Sequence, residues 1–521
     1  MVSQTSDTAY KVGKRIECNN NFGTIKYIGP VEGYTGNWLG IDWDDEERGK
    51  HNGTVNGINY FDTRFPTSGS LLRKEKVNLG QKIIDSIKAR YGYIYNEDTA
   101  KKNKEELLKF QQKINAPFLQ FVGFEEVAEK QRNFQSLEVV NVRLQNVSSV
   151  GDLVTLCPNI KEIDISKNLI CSWADIFSIC SQLEHLYWIN VSENILSMPE
   201  NIEQYVFPNI TVLICGSMNL NFDDINILST VFPNIQELRV PYNQITRLTV
   251  RSDHNFRKLK YLDLEGNDIK YWKEINNLAF MKNLEHLTIE NIKLESIKFE
   301  ENVIPINSFR KLETLNINNN FINEWASIGE LNKLAGLRHL RFLKNPILET
   351  ESLATREQII IAKIKNLKSL NGRQITDDER RGAEYDYIKK YALQWMNLRN
   401  QIDKDNFSIE HNRFLELIDM YGLPEESELV IKPNIIQSSL LTIIFRYNEE
   451  EKTKSVPQNI PIQKLILLIK KIFKLKDRPI LIYTSALQPN IKIKLCDELK
   501  ELHYYSVQDG DTIIVQDDNN L

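Results

Sequence analysis

Ile235-Gln-Glu-Leu238-Arg-Val240-Pro-Tyr-Asn243-Gln-Ile245 and, a little further on, Leu259-Lys-Tyr-Leu262-Asp-Leu264-Glu-Gly-Asn267-Asp-Ile269 are the stretch that decides the fold. Both share one spelling, L-x-x-L-x-L-x-x-N-x-L, with any aliphatic at the L positions. It returns at Ile160-Ile163-Ile165-Asn168-Ile170, Leu186-Ile189-Val191-Asn194-Leu196, Leu312-Leu315-Ile317-Asn320-Ile322 and Leu337-Leu340-Phe342-Asn345-Ile347. Imperfect copies begin near Leu137, Ile210 and Leu284, where Gln145, Met218 and Ile292 hold the asparagine place. Each unit supplies a short strand that buries alternate aliphatics, then an asparagine whose amide serves backbone groups as the chain turns away. One unit cannot bury its own apolar edge, so neighbours stack.

Starts 23 to 28 residues apart fall in the leucine-rich-repeat range and predict a solenoid over residues 131–350. Strand alternation places Glu162, Asp164, Trp188, Asn190, Glu237, Arg239, Tyr261, Asp263, Glu265, His339 and Arg341 on its concave face. Trp188, Arg239, Tyr261 and Arg341 are the candidate anchors for a protein partner, with both aromatics expected to be exposed. For any single side chain, ordinary solvated surface is the commoner reading. The acidic middle of this face disfavours an acidic peptide and suits a folded protein body. Residues 351–395 carry an apolar run at 359–364 and then Thr376 with Glu379, a capping-box spelling, and read as a helical cap. Residues 396–438, with Gly422-Leu423-Pro424, read as a linker.

Outward from the repeats, residues 10–80 are rich in glycine and aromatics. Runs at 24–28, 39–43 and 59–62 read as strands, punctuated by Gly29-Pro30, Gly33, Gly36, Gly49, Asn52-Gly53 and Asn56-Gly57. A small antiparallel β-module follows. Residues 81–130 have helical periodicity and many charges, and read as a helical connector. Residues 439–521 read strand (440–447), strand (452–457), helix (462–473), strand (480–483) and a last strand (512–515), with a turn at 449–451. The fold class is therefore multidomain: a small antiparallel β-module, an α/β leucine-rich-repeat solenoid and a C-terminal β-grasp domain.

Bulk properties narrow the function. The 521 residues exceed one ordinary core, and a net charge of -5 disfavours a nucleic-acid partner. No run of 18 apolar residues occurs, so no membrane span is expected. Six cysteines without CxxC pairs, Cys18, Cys157, Cys171, Cys180, Cys215 and Cys496, fit buried free thiols rather than a metal site or a disulfide framework. The N-terminal stretch has no apolar signal segment, which points to the cytoplasm. Phosphate-loop, zincin and nucleophile-elbow spellings do not occur and the seven histidines are dispersed, so neither enzyme nor cofactor is expected.

The chemistry sits in the N-terminal module. A tight glycine turn at 49–53 exposes backbone donors, Lys50 offers a compact cation, and Trp38 and Phe61 offer flat apolar surface. An acidic peptide ending in an aromatic residue needs all three. Trp43 is equally readable as core. Gly36-Asn-Trp38-Leu-Gly40-Ile-Asp-Trp43-Asp44, Gly49-Lys50-His51-Asn52-Gly53, Tyr60-Phe61 and Gly69 make this module similar to the CAP-Gly family. The resemblance implies binding of the acidic C-terminal tail of α-tubulin by Trp38, Gly49, Lys50, His51, Asn52, Gly53 and Phe61. The family's signature is Gly-Lys-Asn-Asp-Gly, and here His51-Asn52 stand at its centre.

The order CAP-Gly, leucine-rich repeats and ubiquitin-like domain resembles the tubulin-folding cofactor E family, as does the Glu379-Arg-Arg-Gly-Ala-Glu384 segment. That resemblance implies a chaperone that binds α-tubulin and, with cofactors C and D and potentially B, assembles or dissociates the α/β-tubulin heterodimer at the cytoskeleton. The C-terminal domain ends Gln516-Asp-Asp-Asn-Asn-Leu521 without Gly-Gly, and reads as a docking module that is not conjugated. Two alternatives stay open: a CAP-Gly microtubule-tip adaptor, although long heptads are missing, and a proteasome-linked tubulin adaptor using the ubiquitin-like domain.

Overall fold

The computed structural model describes residues 10–92, 133–249, 256–299, 309–425, 429, 440–485, 492–498 and 500–517. The chain forms two compact units, Met1–Leu423 and Pro424–Leu521.

The N-terminal module has strands β1 (Arg15–Cys18), β2 (Asn21–Val31), β3 (Tyr34–Trp43), β4 (Thr54–Val55), β5 (Ile58–Asn59) and β6 (Gly69–Leu72). β1, β2, β3 and β6 pair in that order as an antiparallel sheet. β4 and β5 form a separate hairpin whose turn, Asn56-Gly57, has φ of 51° and 80°. Positive φ at both turn residues is what a two-residue hairpin of this hand requires, and Asn-Gly accepts it at little cost. Ile16, Ile25, Leu39, Ile41 and Trp43 are fully buried between the sheet faces and the following loop. Trp43 is core, with Nε1 donating to Ser70 Oγ at 3.0 Å. The expected strand at 59–62 ends at Asn59, because Tyr60 turns to pack on Tyr27 and Phe61 packs under the 49–53 turn.

In the solenoid, strands run in parallel from Val139–Asn141 to Ser369–Leu370, and Arg373–Gln374 closes the edge antiparallel. The middle residue of each strand is buried, as Ile163, Ile189, Leu213, Leu238, Leu262, Leu287, Leu315 and Leu340 show. Each such burial contributes about 1.5–3 kcal/mol. Every unit then passes through the left-handed region, at Leu144, Lys167, Glu193, Ser217, Tyr242, Gly266, Asn291, Asn319 and Lys344. That turn strands backbone groups in the interior, and the asparagines satisfy them. Asn267 Oδ1 accepts from Asn243 N and Ile245 N, both at 3.0 Å, while Nδ2 donates to Val240 O and Leu264 O at 3.0 and 2.8 Å. Each asparagine serves the preceding unit, so Asn243 bonds Met218 N and Leu220 N, and Asn320 bonds Ile292 N and Leu294 N. The imperfect copies keep their turns because their successors carry the amide.

Both ends of the solenoid differ from the sequence expectation. The described part of the expected connector 81–130 is structural: Gln81–Lys82 pairs with Val147–Ser149, and helix Ile83–Gly92 buries Ile83 and Ile87 in the repeat core. Only one face of that helix is apolar, and it covers the first unit's open edge. The rest of the expected helical connector, residues 93–130, lies outside the described residues. At the other end, helices Leu353–Lys363 and Asp377–Asn397 form the expected cap. Thr376 accepts from Glu379 N at 3.2 Å, but the Glu379 carboxylate pairs with Arg373 rather than returning to Thr376. Helices Gln401–Glu410 and Phe414–Tyr421 continue the cap through what the sequence gives as linker, because Phe407, Phe414 and Leu417 pack against Ile359, Tyr387 and Ile388. An ion pair between Arg413 and Glu384 at 2.9 Å, both nearly fully buried, joins the last helix to Asp377–Asn397.

The second unit has sheet order Glu450–Pro457, Leu440–Tyr447, Thr512–Asp517, Pro479–Thr484, Lys492–Lys494, with the two central strands parallel. Helix Ile462–Phe473 lays Ile462, Leu465 and Ile469 on Ile443, Phe445, Leu481 and Ile513. This is the β-grasp arrangement. The turn is one residue tighter than expected, with Asn448 at φ 53° and strand pairing resuming at Glu450.

Cys18, Cys157, Cys180 and Cys215 are buried free thiols, Cys171 is half-buried and Cys496 is exposed. Burial pushes the Cys157 and Cys180 thiols up to about 12, which keeps them protonated and unreactive.

Candidate peptide-binding groove

The turn at 49–53 is held from three sides. Lys50 N and His51 N donate to Gly69 O at 2.7 and 3.3 Å, and Gly69 N donates to His51 O at 2.7 Å. Tyr60 N donates to Gly53 O at 3.1 Å. Gly53 has φ +94°, and a Cβ there would lie 1.6 Å from Phe61 O, so no other residue fits. Within the turn, Gly53 N donates to His51 Nδ1 at 3.0 Å and Thr54 N donates to Asn52 Oδ1 at 3.2 Å. The Asn52 oxygen is thus used inside the turn. Phe61, expected as open apolar surface, is only 7% exposed. It supports the turn from below, edge-on to His51 at 6.0 Å, and a Cβ on Gly40 would strike its ring at 2.4 Å.

A cavity of about 350 Å³ opens beside this turn, lined by Tyr34, Trp38, Arg48, Lys50, His51, Val55, Ser70, Leu71 and Leu72. Trp38 is half-buried, edge-on to Tyr34 at 5.7 Å, and the Arg73 guanidinium lies 3.8 Å from its ring centre. Arg73 is itself fixed by Thr35 O at 2.5 Å and Asn37 O at 3.3 Å. The Trp38 indole N–H is covered and has no protein acceptor among the described residues. Lys50 is exposed at the rim, and Arg48 leans over the Trp43 ring at 4.9 Å. Burial lowers the His51 pKa below its ordinary value, so the imidazole is neutral near pH 7. An apolar floor under two cations suits an extended anionic peptide with a terminal ring. The backbone donors of Lys50, His51, Gly53 and Thr54 are used within the module rather than offered to a ligand.

A partly buried ionic network holds the end of β3. Asp42, fully buried, accepts from Ser68 Oγ at 2.7 Å and Arg64 Nε at 2.8 Å. Arg64 also donates to Asp44 Oδ1 at 2.8 Å, and Asp44 pairs with Arg15.

Of the residues expected at this site, Trp38, Lys50 and His51 line the groove, Gly49, Asn52 and Gly53 shape the turn, and Phe61 lies beneath it. Tyr34, Arg48, Val55, Leu71, Leu72 and Arg73 were not anticipated. Arg48 alone carried a local signal, a second cation beside Gly49-Lys50.

The solenoid positions form a separate surface. Trp188 and Tyr261 are half-buried rather than exposed, because neighbouring strands lie close on this face. Tyr261 sits under the Arg239 guanidinium at 5.2 Å and beside His286 at 6.0 Å. Arg239 pairs with Glu237 at 2.5 Å, Arg341 is exposed, and His339 Nδ1 lies 2.8 Å from Ser369 Oγ. Glu265 lies past its strand, accepting from Tyr242 at 2.6 Å. The groove and this face belong to one unit. The joint between them is made by Gln81 N on Asn146 O at 2.9 Å, Gln81 Nε2 on Gln145 O at 3.0 Å and Asn141 N on the Tyr91 hydroxyl at 2.8 Å.

Comparison with known proteins shows what the chain is similar to. Residues 12–77 match the CAP-Gly domain family. Over 97% of its length the chain is 35% identical to a Danio rerio protein named Tubulin-specific chaperone E, covering 98% of it. It is 32% identical over 98% of its length to the Homo sapiens protein of that name, covering 99% of it. Among solved structures, the Bik1 CAP-Gly domain with an ETF peptide from Bim1 is 35% identical over 12% of this chain and 78% of its own, with a TM-score of 0.12. The C-terminal ubiquitin-like domain of mouse tubulin-specific chaperone e is 28% identical over 15% and 86%, with a TM-score of 0.14.

Proposed function

Because the chain belongs to the tubulin-specific chaperone E family, we propose that it is a cytoplasmic tubulin-folding chaperone whose CAP-Gly groove holds the acidic C-terminal tail of α-tubulin. The observation that carries this reading is the groove: Lys50 and Arg48 at the rim of an apolar floor built on Trp38 and Leu71. The solenoid face around Trp188, Arg239, Tyr261 and Arg341 engages the folded body of the same subunit. Residues 81–92 join groove and face by backbone pairing and buried isoleucines rather than by a free tether. Two weak contacts in a fixed relation raise the effective concentration of each for the other. Acting with cofactors C and D, and with B as a further partner, the chain assembles or dissociates the α/β heterodimer. The ubiquitin-like domain docks a partner, with the proteasome as the second reading.

The test is a fluorescence-anisotropy titration of the full chain with an acidic peptide ending in an aromatic residue. Lys50→Ala removes one charged contact and weakens binding about tenfold, since a hydrogen bond to a charged group is worth about 1.5–3 kcal/mol. Equal binding by wild type and Lys50→Ala would remove the groove from the mechanism.

A further inference from the structure

We infer that helix Ile462–Phe473 of the β-grasp domain presents a docking face for a glutamate-rich protein segment, held along its length by a stripe of lysines. This gives the docking reading of that domain a face and a partner chemistry, and rests on it.

Residues 452–478 hold eight Lys or Arg and a single Asp, in a chain whose net charge is -5. With about 3.6 residues per turn, Lys464, Leu467, Lys470, Lys471 and Lys474 fall on one side of the helix. Ile462, Leu465 and Ile469, on the other side, are buried in the domain core. Lys470 is half-buried and the remaining stripe residues are exposed. From Lys464 to Lys474 the stripe runs about 15 Å, the span of about five residues of an extended peptide. Its far end is fixed, because the N–H groups of Lys474 and Leu475 both donate to Lys470 O. Lys474 has φ 53°, a left-handed cap position that glycine usually fills. The sheet widens the stripe. Lys452 and Lys454 pair with Phe445 and Ile443, on the sheet side that carries the helix, and Lys452 Nζ donates to Ile472 O at 3.1 Å.

Elsewhere on the domain exposed charges are matched, Arg446 by Glu451 and Arg478 by Glu498. On this face Lys452 pairs with Glu450 at 2.8 Å. Lys454, Lys464, Lys470, Lys471 and Lys474 have no carboxylate partner among the described residues. The helix dipole favours cations in the last turn, but it disfavours Lys464 in the first turn and does not reach Lys454 on the strand. Like charges one turn apart, as at Lys470 and Lys474, repel, and an anionic ligand removes that repulsion. Leu467, in the middle of the stripe, gives the aliphatic stems of glutamates a surface to rest on. A membrane-surface helix needs its broad apolar face free, whereas here that face is buried on the sheet. A nucleic acid would need exposed rings for its bases, and no exposed ring stands on the stripe.

The test titrates the full chain with a fluorescein-labelled, C-terminally amidated peptide of about ten glutamates. That length spans the stripe, and the peptide lacks the terminal ring and carboxylate that the N-terminal groove would read. Wild type binds, and affinity falls about tenfold between about 50 and 300 mM salt, as screening of surface charges requires. Lys464→Glu with Lys471→Glu reverses two exposed charges and weakens binding about tenfold or more at low salt. Lys492→Glu with Lys494→Glu makes the same change of net charge on the exposed edge strand and binds as wild type. Equal loss in both pairs would reduce the effect to net charge and overturn the inference. Loss in the Lys492 and Lys494 pair alone would overturn this face while keeping a docking domain. Binding to phosphatidylserine vesicles that the peptide does not displace would overturn the protein partner in favour of lipid. A wild-type chain that binds neither peptide nor vesicles would sink the inference, and with it the docking reading for any anionic partner.

Discussion

Asn267→Ala probes the ladder on which the solenoid stands. The Asn267 side chain is 1% exposed and makes four hydrogen bonds of 2.8–3.0 Å, two accepted from the preceding unit and two donated to carbonyls of both units. Alanine removes all four and leaves Asn243 N–H and Ile245 N–H facing an apolar interior. At about 1 kcal/mol per bond the loss is about 4 kcal/mol. In a chain of several units a single global unfolding free energy is poorly defined, so a local probe is needed. Hydrogen exchange of the full chain supplies it, followed on peptides spanning residues 238–249 and 256–270. A change of 4 kcal/mol corresponds to about three decades of faster exchange at Asn243 and Ile245, at 1.4 kcal/mol per decade. Asn234→Ala is the control, since its amide makes a single bond to Pro208 O at 2.9 Å, and should cost about 1 kcal/mol or less. Exchange slowed or quickened by less than one decade in Asn267→Ala would refute the claim that the asparagine amides hold the repeats.

Three further outcomes follow from the same structure. Gly53→Ala has no space for its methyl group against Phe61 O, so the turn opens and peptide binding is abolished in the anisotropy titration, while repeat amides exchange as in wild type. Arg413→Ala takes from the buried Glu384 its nearer cation, leaving the Tyr421 hydroxyl at 2.8 Å and Arg380 at 3.9 Å, and lowers the stability of the C-terminal cap by about 3 kcal/mol, read as accelerated exchange over residues 377–421. His411, hydrogen-bonded to the Tyr387 hydroxyl at 2.8 Å, is held down to about 3 by burial and then by Lys363. Its neutral form is favoured in the fold, so its contribution is complete above pH 6.5 and is lost as pH falls toward 3. About 2 kcal/mol disappears between pH 7 and pH 5, and chemical denaturation of wild type against His411→Gln separates that share.

Sequence alone carried the solenoid, because its asparagines and aliphatics do the same job in every unit and therefore repeat. The β-grasp domain was legible for a related reason, since helix 462–473 and its flanking strands have different periods. What escaped reading depends on contacts without a local spelling. Ile83 and Ile87 look like any charged helix's apolar pair until the open edge of the first repeat lies beneath them. The helices of 401–421 were hidden by Gly422 and Pro424, although Phe407, Phe414 and Leu417 bury as a set. In the groove, the turn residues were visible as a motif, whereas Leu71, Leu72 and Arg73 arrive from β6 and its end, some twenty residues later. Phe61 was misplaced because an aromatic beside a binding turn reads the same whether it faces solvent or supports the backbone.

The most direct measurement mixes the purified full chain with soluble α/β-tubulin and follows the species by size-exclusion chromatography. The expected result is a complex of the chain with α-tubulin and loss of intact heterodimer, weakened by Lys50→Ala. An unchanged heterodimer, with the chain bound only to polymerised microtubules, would contradict the chaperone and favour a tip adaptor.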